Sequence, residues 1–240
     1  MNSEFRKKEV KNLTMEAISK GIYKETAQFG FSTQDYIKLV NSLLDLTMTN
    51  SIKNNSSNGG QTVKEKVKKI ELPIQGENVI VRLFDEKKDK KTVTKWLNDE
   101  KGRLFLLSRL TSKRCDFDEL IHNKDNEFGI VTTLNSDPIG LLGFLNIDQK
   151  QRKAELRKLI GVDEYRGRGY AKEATKLWID YGIHHLNLRK IYLHTIGTNI
   201  ANIRLNKDLG FKIEGILRQE TLIDNEFQDV LRMALIVDHQ

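Results

Sequence analysis

Apolar and polar positions follow a helical period at the start of the chain and a mixed one afterwards. Leu13, Ala17, Ile18 and Ile22 recur at helical spacing, and Gly30 then offers a stop. Ser32 can cap a second helix, with Asp35 three residues on. Tyr36, Ile37, Leu39, Val40, Leu43, Leu44 and Leu46 give that helix a broad apolar face. Two helices cannot bury so much apolar surface on their own, so residues 1–50 must also pack on something else. The pattern then lapses. Asn-Asn-Ser-Ser-Asn-Gly-Gly-Gln (54–61) has almost nothing to bury, and residues 51–70 read as a flexible polar linker, whose lysine run at 64–69 is either its solvated continuation or a basic docking patch.

From residue 71 to 240 the periods alternate. The pattern predicts a strand over 79–84, then a helix over 88–98 with Val93, Trp96 and Leu97 on its apolar side. A second short helix is expected within 101–122. Strands are predicted over 128–134 and 138–147, joined by a hairpin at Ser136-Asp137-Pro138, and a long strand over 153–162. Ala171, Ala174, Leu177, Trp178 and Tyr181 then mark a helix. A strand over 191–196, a helix over 201–209 closed by Gly210, and strands over 211–222 and 227–236 complete the chain. The order β-α-α-β-β-β-α-β-α-β-β predicts a mixed α/β domain at 71–240, preceded by a small helical segment.

Composition narrows the setting. No apolar run approaches membrane-spanning length, and residues 1–10 are charged and lack a secretory apolar region. Cys115 is the sole cysteine, so no internal disulfide and no cysteine-rich metal site is expected, and a reducing, cytoplasmic setting is favoured. The net charge of +7 suits an anionic ligand. The lysines are spread along the chain and mixed with acids, which argues against nucleic acid as the main partner.

The densest chemical signal is the run from Leu159 to Ala174. A strand enters the turn Arg166-Gly167-Arg168-Gly169 and leaves it as a helix. Backbone N–H groups converge there, backed by the positive end of the helix dipole, and the glycines let a ligand approach the backbone. Arg166 and Arg168 add charge at the rim. No Gly-x-x-x-x-Gly-Lys-Ser/Thr loop is present, and Lys172 stands where a dinucleotide fingerprint needs its third glycine. The turn is a pyrophosphate-sized cradle of another kind.

Residues 72–236 resemble the GNAT superfamily of N-acetyltransferases, in the branch that includes ribosomal-protein-alanine, polyamine and amino-sugar acetyltransferases. Three stretches carry the resemblance: Arg166-Gly-Arg-Gly-Tyr-Ala171; Asn199 followed by Leu209-Gly210-Phe211; and Glu214-Gly215 through Arg218 and Asn225 to Asp229-Val-Leu-Arg-Met233. The resemblance implies a central twisted mixed sheet flanked by helices, acetyl-coenzyme A as cosubstrate, and no metal. It implies that the backbone of Leu159, Ile160 and Gly161 pairs with the pantetheine arm in a gap beside the central strand. It also implies that Arg166, Gly167, Arg168, Gly169, Tyr170 and Ala171 hold the pyrophosphate, and that Asn199 bonds the pantetheine, with Asn202 a further polar group nearby.

The implied reaction is attack of a neutral amine on the thioester. Acceptor amines are mostly protonated near pH 7, so a base is required. Glu155, on the strand leading to the turn, is the candidate; pairing with Arg157 or Lys153 is its structural alternative, and His194 is an alternative base. Many family members carry a tyrosine seven residues after the asparagine to protonate the departing thiolate. This chain has Asn206 there, which donates a hydrogen bond but releases no proton. Asn206 is the catalytic candidate at that position, and it weakens the general-acid assignment without removing activity. The acceptor is an amine: a sugar amine, a polyamine, an amino acid or a protein N-terminus. Asp116, Asp118, Glu119, Glu220 and Asp229 are candidates for drawing a cationic acceptor. A non-catalytic acetyl-coenzyme A sensor acting through residues 1–50 is the competing reading. Those residues are open to pairing with a second copy, docking a protein partner or covering the acceptor pocket.

Overall fold

The computed structural model describes residues 3–32, 35–36, 38–43, 70–99, 102, 116–196, 199–223 and 225–237. The expected linker at 51–70, apart from its last residue, and the apolar positions Ile37, Leu44 and Leu46 lie outside the described residues, as does most of 101–115. The chain divides into two units, Met1–Ser56 and Ser57–Gln240.

In the first unit, α1 spans Ser3–Ala27. Gly30, at φ +71°, closes it with a hydrogen bond from its N–H to the Ala27 carbonyl. The second helix, α2, is helical at 35–36 and 38–43. Its start is the expected box: the Ser32 N–H and hydroxyl both donate to the Asp35 carboxylate, at 3.0 and 2.7 Å. These bonds hold the Asp35 carboxyl down at about 2. Tyr36 stacks on Tyr23 of α1, with ring centroids 5.9 Å apart, and its hydroxyl meets Thr26 at 2.7 Å.

The second unit is built on one eight-stranded sheet, in the order β1-β2-β3-β4-β5-β6-β8-β7. The strands are β1 Ile74–Gln75, β2 Val79–Leu83, β3 Glu127–Thr133, β4 Pro138–Asp148, β5 Lys153–Ile160, β6 Lys190–Ile196, β7 Lys212–Ile223 and β8 Glu226–Ile236. All neighbours are antiparallel except β5 and β6, which are parallel. The helices are α3 Glu86–Asn98, α4 Phe117–Ile121, α5 Tyr170–His184 and α6 Ile200–Asp208. The predicted mixed α/β sheet is thus observed, and the described residues add the two-residue edge strand β1 and a 3₁₀ turn at Asp163–Tyr165. Both are too short to leave a periodic signal.

Local chemistry sets the boundaries. The α3 helix begins at Glu86, two residues ahead of the first predicted helical residue, because the Asp85 carboxylate accepts from the Lys87 and Lys88 N–H groups. Asp116 does the same for α4 through Asp118 N–H at 3.1 Å. On one side of the sheet, Val93, Trp96 and Leu97 of α3 and Phe117 of α4 pack with Phe128, Ile130, Leu141 and Leu145, with Leu159 and Val162 against the cluster. Elsewhere in the unit, α5 lays Trp178 on Phe144, rings 5.2 Å apart and nearly parallel. A bidentate pair between Arg82 and the buried Asp89, at 2.7 and 2.8 Å, ties β2 to α3.

Candidate active site

The central strand pair opens. β5 and β6 are in register only over Lys153–Glu155 and Lys190–Tyr192. Beyond that point β5 stays on β4 as far as Ile160, and β6 stays on β8 as far as Ile196, so the two strands splay apart. Past the shared register the two strands no longer pair with each other, so each turns backbone groups toward the split, which a ligand with amide groups can meet. A cavity of about 800 Å³ occupies it, lined by Glu155, Lys158, Ile160, His194, Thr195, Asn199 and Asn202 and, at the mouth, by Arg166, Gly167, Gly169 and Ala171.

Of the three residues expected to pair with the pantetheine arm, the ladder sorts two from one. Gly161 donates its N–H to the Ile139 carbonyl of β4 at 2.9 Å. Antiparallel ladders alternate, so Leu159 also turns its backbone to β4, while Lys158 and Ile160 turn theirs toward the split. The Ile160 carbonyl accepts from Arg166 Nε at 2.8 Å.

At the mouth, Gly167 and Gly169 have φ of +74° and +90°, and nothing lies within 4 Å of where a side chain would begin at either. Gly169 is the N-cap of α5 and supplies no side-chain cap; its carbonyl accepts from the Lys172 and Glu173 N–H groups, while those of Tyr170 and Ala171 stand at the positive end of the helix dipole. Tyr170 and Ala171 form that first turn. Tyr165 packs edge-on against Tyr170, centroids 5.2 Å apart. Arg166 is half-buried and pairs with Asp163, so it braces the turn as well as lining its inner wall. Arg168 is exposed.

The three asparagines have three different settings. Asn199 caps α6, its side-chain oxygen accepting from Asn202 N–H at 3.1 Å. Asn202 reaches the other way, donating to Thr195 Oγ1 of β6 at 3.0 Å. Asn206 is fully buried; its oxygen accepts from Lys158 Nζ, and its nitrogen lies 4.0 Å from Met233 Sδ. Lys158 was not singled out by the sequence. Burial pushes its amine from the ordinary 10.5 down to about 7. The available signal was an alternation: Ala154, Leu156, Lys158 and Ile160 share one face of β5, and a lysine interrupts that apolar row.

Glu155 and Lys158 are three apart on β5 and so face opposite sides of the sheet. Glu155 is buried, its Oε1 3.3 Å from His194 Nδ1 and 3.6 Å from Arg157 Nε, with Asn146 Nδ2 3.5 Å from Oε2. The two base candidates are therefore brought together at the closed end of the split, and Arg157 joins them. The acids proposed to draw a cationic acceptor are engaged locally in three cases. Asp116 caps α4, Asp118 pairs with Lys90 at 3.0 Å, and Asp229 accepts from Gln219 N–H at 2.8 Å. Glu119 is exposed and Glu220 half-buried. Among the described residues no cluster of His, Cys, Asp and Glu suits a metal ion, and no helix is long and apolar enough to cross a membrane.

Comparison with known proteins points the same way. Residues 78–212 match the family model for the acetyltransferase (GNAT) domain. The chain is 36% identical over 124 residues to the spermidine N(1)-acetyltransferase of Escherichia coli (strain K12), a match covering 52% of this chain and 65% of that protein. It is 34% identical over 127 residues to the enzyme of the same name from Vibrio cholerae serotype O1, covering 50% and 73%. The match thus spans just under two thirds of the Escherichia coli relative. Among solved structures, the spermidine N-acetyltransferase from Vibrio cholerae in complex with CoA and spermine superposes with a TM-score of 0.56 at 25% identity, covering 66% of this chain and 95% of that one. With the opened strand pair, the glycine turn and the family match all falling within one unit, the chain belongs to the GNAT acetyltransferase family.

Proposed function

We propose that this chain moves the acetyl group of acetyl-coenzyme A to a primary amine of a polyamine, by direct attack while both substrates are bound. The carrying observation is the split between β5 and β6, with the uncapped start of α5 at its mouth and the Glu155–His194 pair at its closed end. The helix start suits the diphosphate, and the amide-rich arm suits the backbone edges at Lys158 and Ile160. Asn199 and Asn202 stand where they can meet that arm on its β6 side. Glu155, acting with His194 or through water, takes the proton that frees the amine for attack. The polyamine assignment draws its support from the similarity to spermidine N-acetyltransferases.

The test is thiol release from acetyl-coenzyme A with spermidine, spermine, glucosamine, single amino acids and short peptides. Turnover with the polyamines at least tenfold above the other amines is expected. Turnover confined to a sugar or a peptide N-terminus overturns the acceptor assignment. Tight binding without release on any amine overturns the catalytic reading.

A further inference from the structure

The mechanism above supplies a base but leaves the departing thiolate without a proton. Asn206 cannot provide one, and Glu155 and His194 lie on the other face of β5 and β6. Lys158 lines the same cavity on the α6 side, with its Nζ donating to the buried Asn206 oxygen. The location along the split follows from the register. Asn206 lies against Met233, and Met233 is the partner of Leu193, one residue past Tyr192, where the β5–β6 pairing ends. The lysine amine is thus held beside the closed end, where the strand edges bring the thioester end of the arm.

We propose that Lys158 is the catalytic acid that protonates the coenzyme A thiolate as it leaves, with Asn206 as its positioning residue. This rests on the acetyl-transfer reading above. In the step, the acceptor nitrogen forms its bond to the acetyl carbon and the C–S bond breaks. The sulfur takes one proton from the Lys158 ammonium, leaving a neutral amine. That amine is reprotonated from solvent, which receives the protons given up by the acceptor nitrogen; one proton is released overall.

The surroundings suit an amine that gives up its proton. Burial brings its titration to about 7, with no adjoining carboxylate among the described residues, and there acid and conjugate base interconvert readily. The charged groups of the packed elements are otherwise occupied or cationic. On α6, Asp208 is paired with Lys172 of α5 at 2.7 Å, and Arg204 lines the cavity. On the loop, Arg166 is paired with Asp163. Across the strands, Glu155 is engaged with His194 and Arg157. From β7 and β8 the cavity receives Thr221 and Val230, neither of them charged.

The experiment compares the full chain with Lys158→Met and Asn206→Asp. Three readouts are taken: kcat against pH on the best amine, coenzyme A affinity by calorimetry, and NMR titration of the lysine side chains labelled at Cε. In the full chain one lysine signal, absent from Lys158→Met, titrates near pH 7, and kcat falls as pH rises past that value. Lys158→Met lowers kcat by about 100-fold or more, the usual reach of a general acid, leaves coenzyme A affinity within threefold, and abolishes the alkaline fall. Asn206→Asp puts a carboxylate beside the ammonium and moves both the titration and the alkaline fall to higher pH. A Lys158→Met enzyme within threefold of the full chain overturns the proposal while the acetyl-transfer reading stands, as does a slowed enzyme whose alkaline fall is unchanged. A full chain that turns over no amine overturns both.

Discussion

The indole of Trp96 occupies the space in which Gly161 would carry a side chain: a Cβ built there lies 2.1 Å from Trp96 Cδ2. Gly161 is the first residue after β5, and Trp96 belongs to the core formed by α3, α4 and the sheet. The residue that leads from β5 toward the glycine turn is therefore in van der Waals contact with α3, and its identity is set by packing.

Gly161→Ala is expected to destabilise the protein by about 1–3 kcal/mol, the usual cost of forcing a carbon into a packed site. Shifting the turn also weakens coenzyme A binding. Adding Trp96→Leu makes room and recovers part of both losses. Denaturant melts on the two single variants and the double variant measure the coupling. Additive effects across the three would show that the contact does not govern the turn.

Glu155→Gln keeps the shape of the side chain and its ability to accept from Asn146, but removes the charge facing His194 and Arg157. The expected result is a kcat about 100-fold lower, with coenzyme A affinity unchanged, because base catalysis contributes on that order. Steady-state kinetics with saturating acceptor give the answer. A variant that loses stability but keeps kcat would assign Glu155 to the ion pair with Arg157 alone.

The sheet was legible in the sequence because its strands bury whole faces. In β4, seven consecutive residues from Ile139 to Leu145 are buried, and this run leaves a continuous apolar signal. The glycine turn was legible because two positive-φ positions demand glycine. The Lys158–Asn206 pair was not. Its two members are 48 positions apart, and only the packing of α6 against the open strand pair brings them together. Likewise Glu155 and His194 were separate candidates until the short parallel register of β5 and β6 placed them side by side. The acids at 116, 118 and 229 read as acceptor-binding groups in sequence, yet each satisfies a nearby donor, since caps, surface pairs and turns use the same residue types.

Gly169 and Gly210 make a controlled pair, since both hold φ of +90°. Alanine at either position costs about 1–2 kcal/mol for left-handed backbone. At Gly169 the space around the added methyl is open, and it is the space that the proposed function gives to the diphosphate at the start of α5. At Gly210 the methyl meets Leu235 at 3.3 Å, away from the cavity lining. Both variants should lose similar stability, while only Gly169→Ala should weaken coenzyme A binding, by about tenfold. Calorimetry with coenzyme A on the two proteins decides this; equal affinities would remove the start of α5 from the binding site.

Lys158 also predicts how stability depends on pH. Its amine titrates near 7 in the folded chain and at an ordinary 10.5 when unfolded. Between those values the unfolded state binds more protons, so this group makes the fold more stable as pH rises from about 7 toward 10.5. Below 7 the buried ammonium exerts its full destabilising effect. Lys158→Met removes that effect while filling the same space with an apolar chain. The variant should therefore be more stable than the parent at pH 6, on the order of 2 kcal/mol or more, since each unit of displacement is worth about 1.4 kcal/mol. The advantage should shrink as pH rises and largely vanish above 10. Urea melts of both proteins at pH 6, 8 and 10 give the comparison. A stability difference that stays constant across that range would mean that Lys158 keeps its proton in the folded protein as readily as in the unfolded chain.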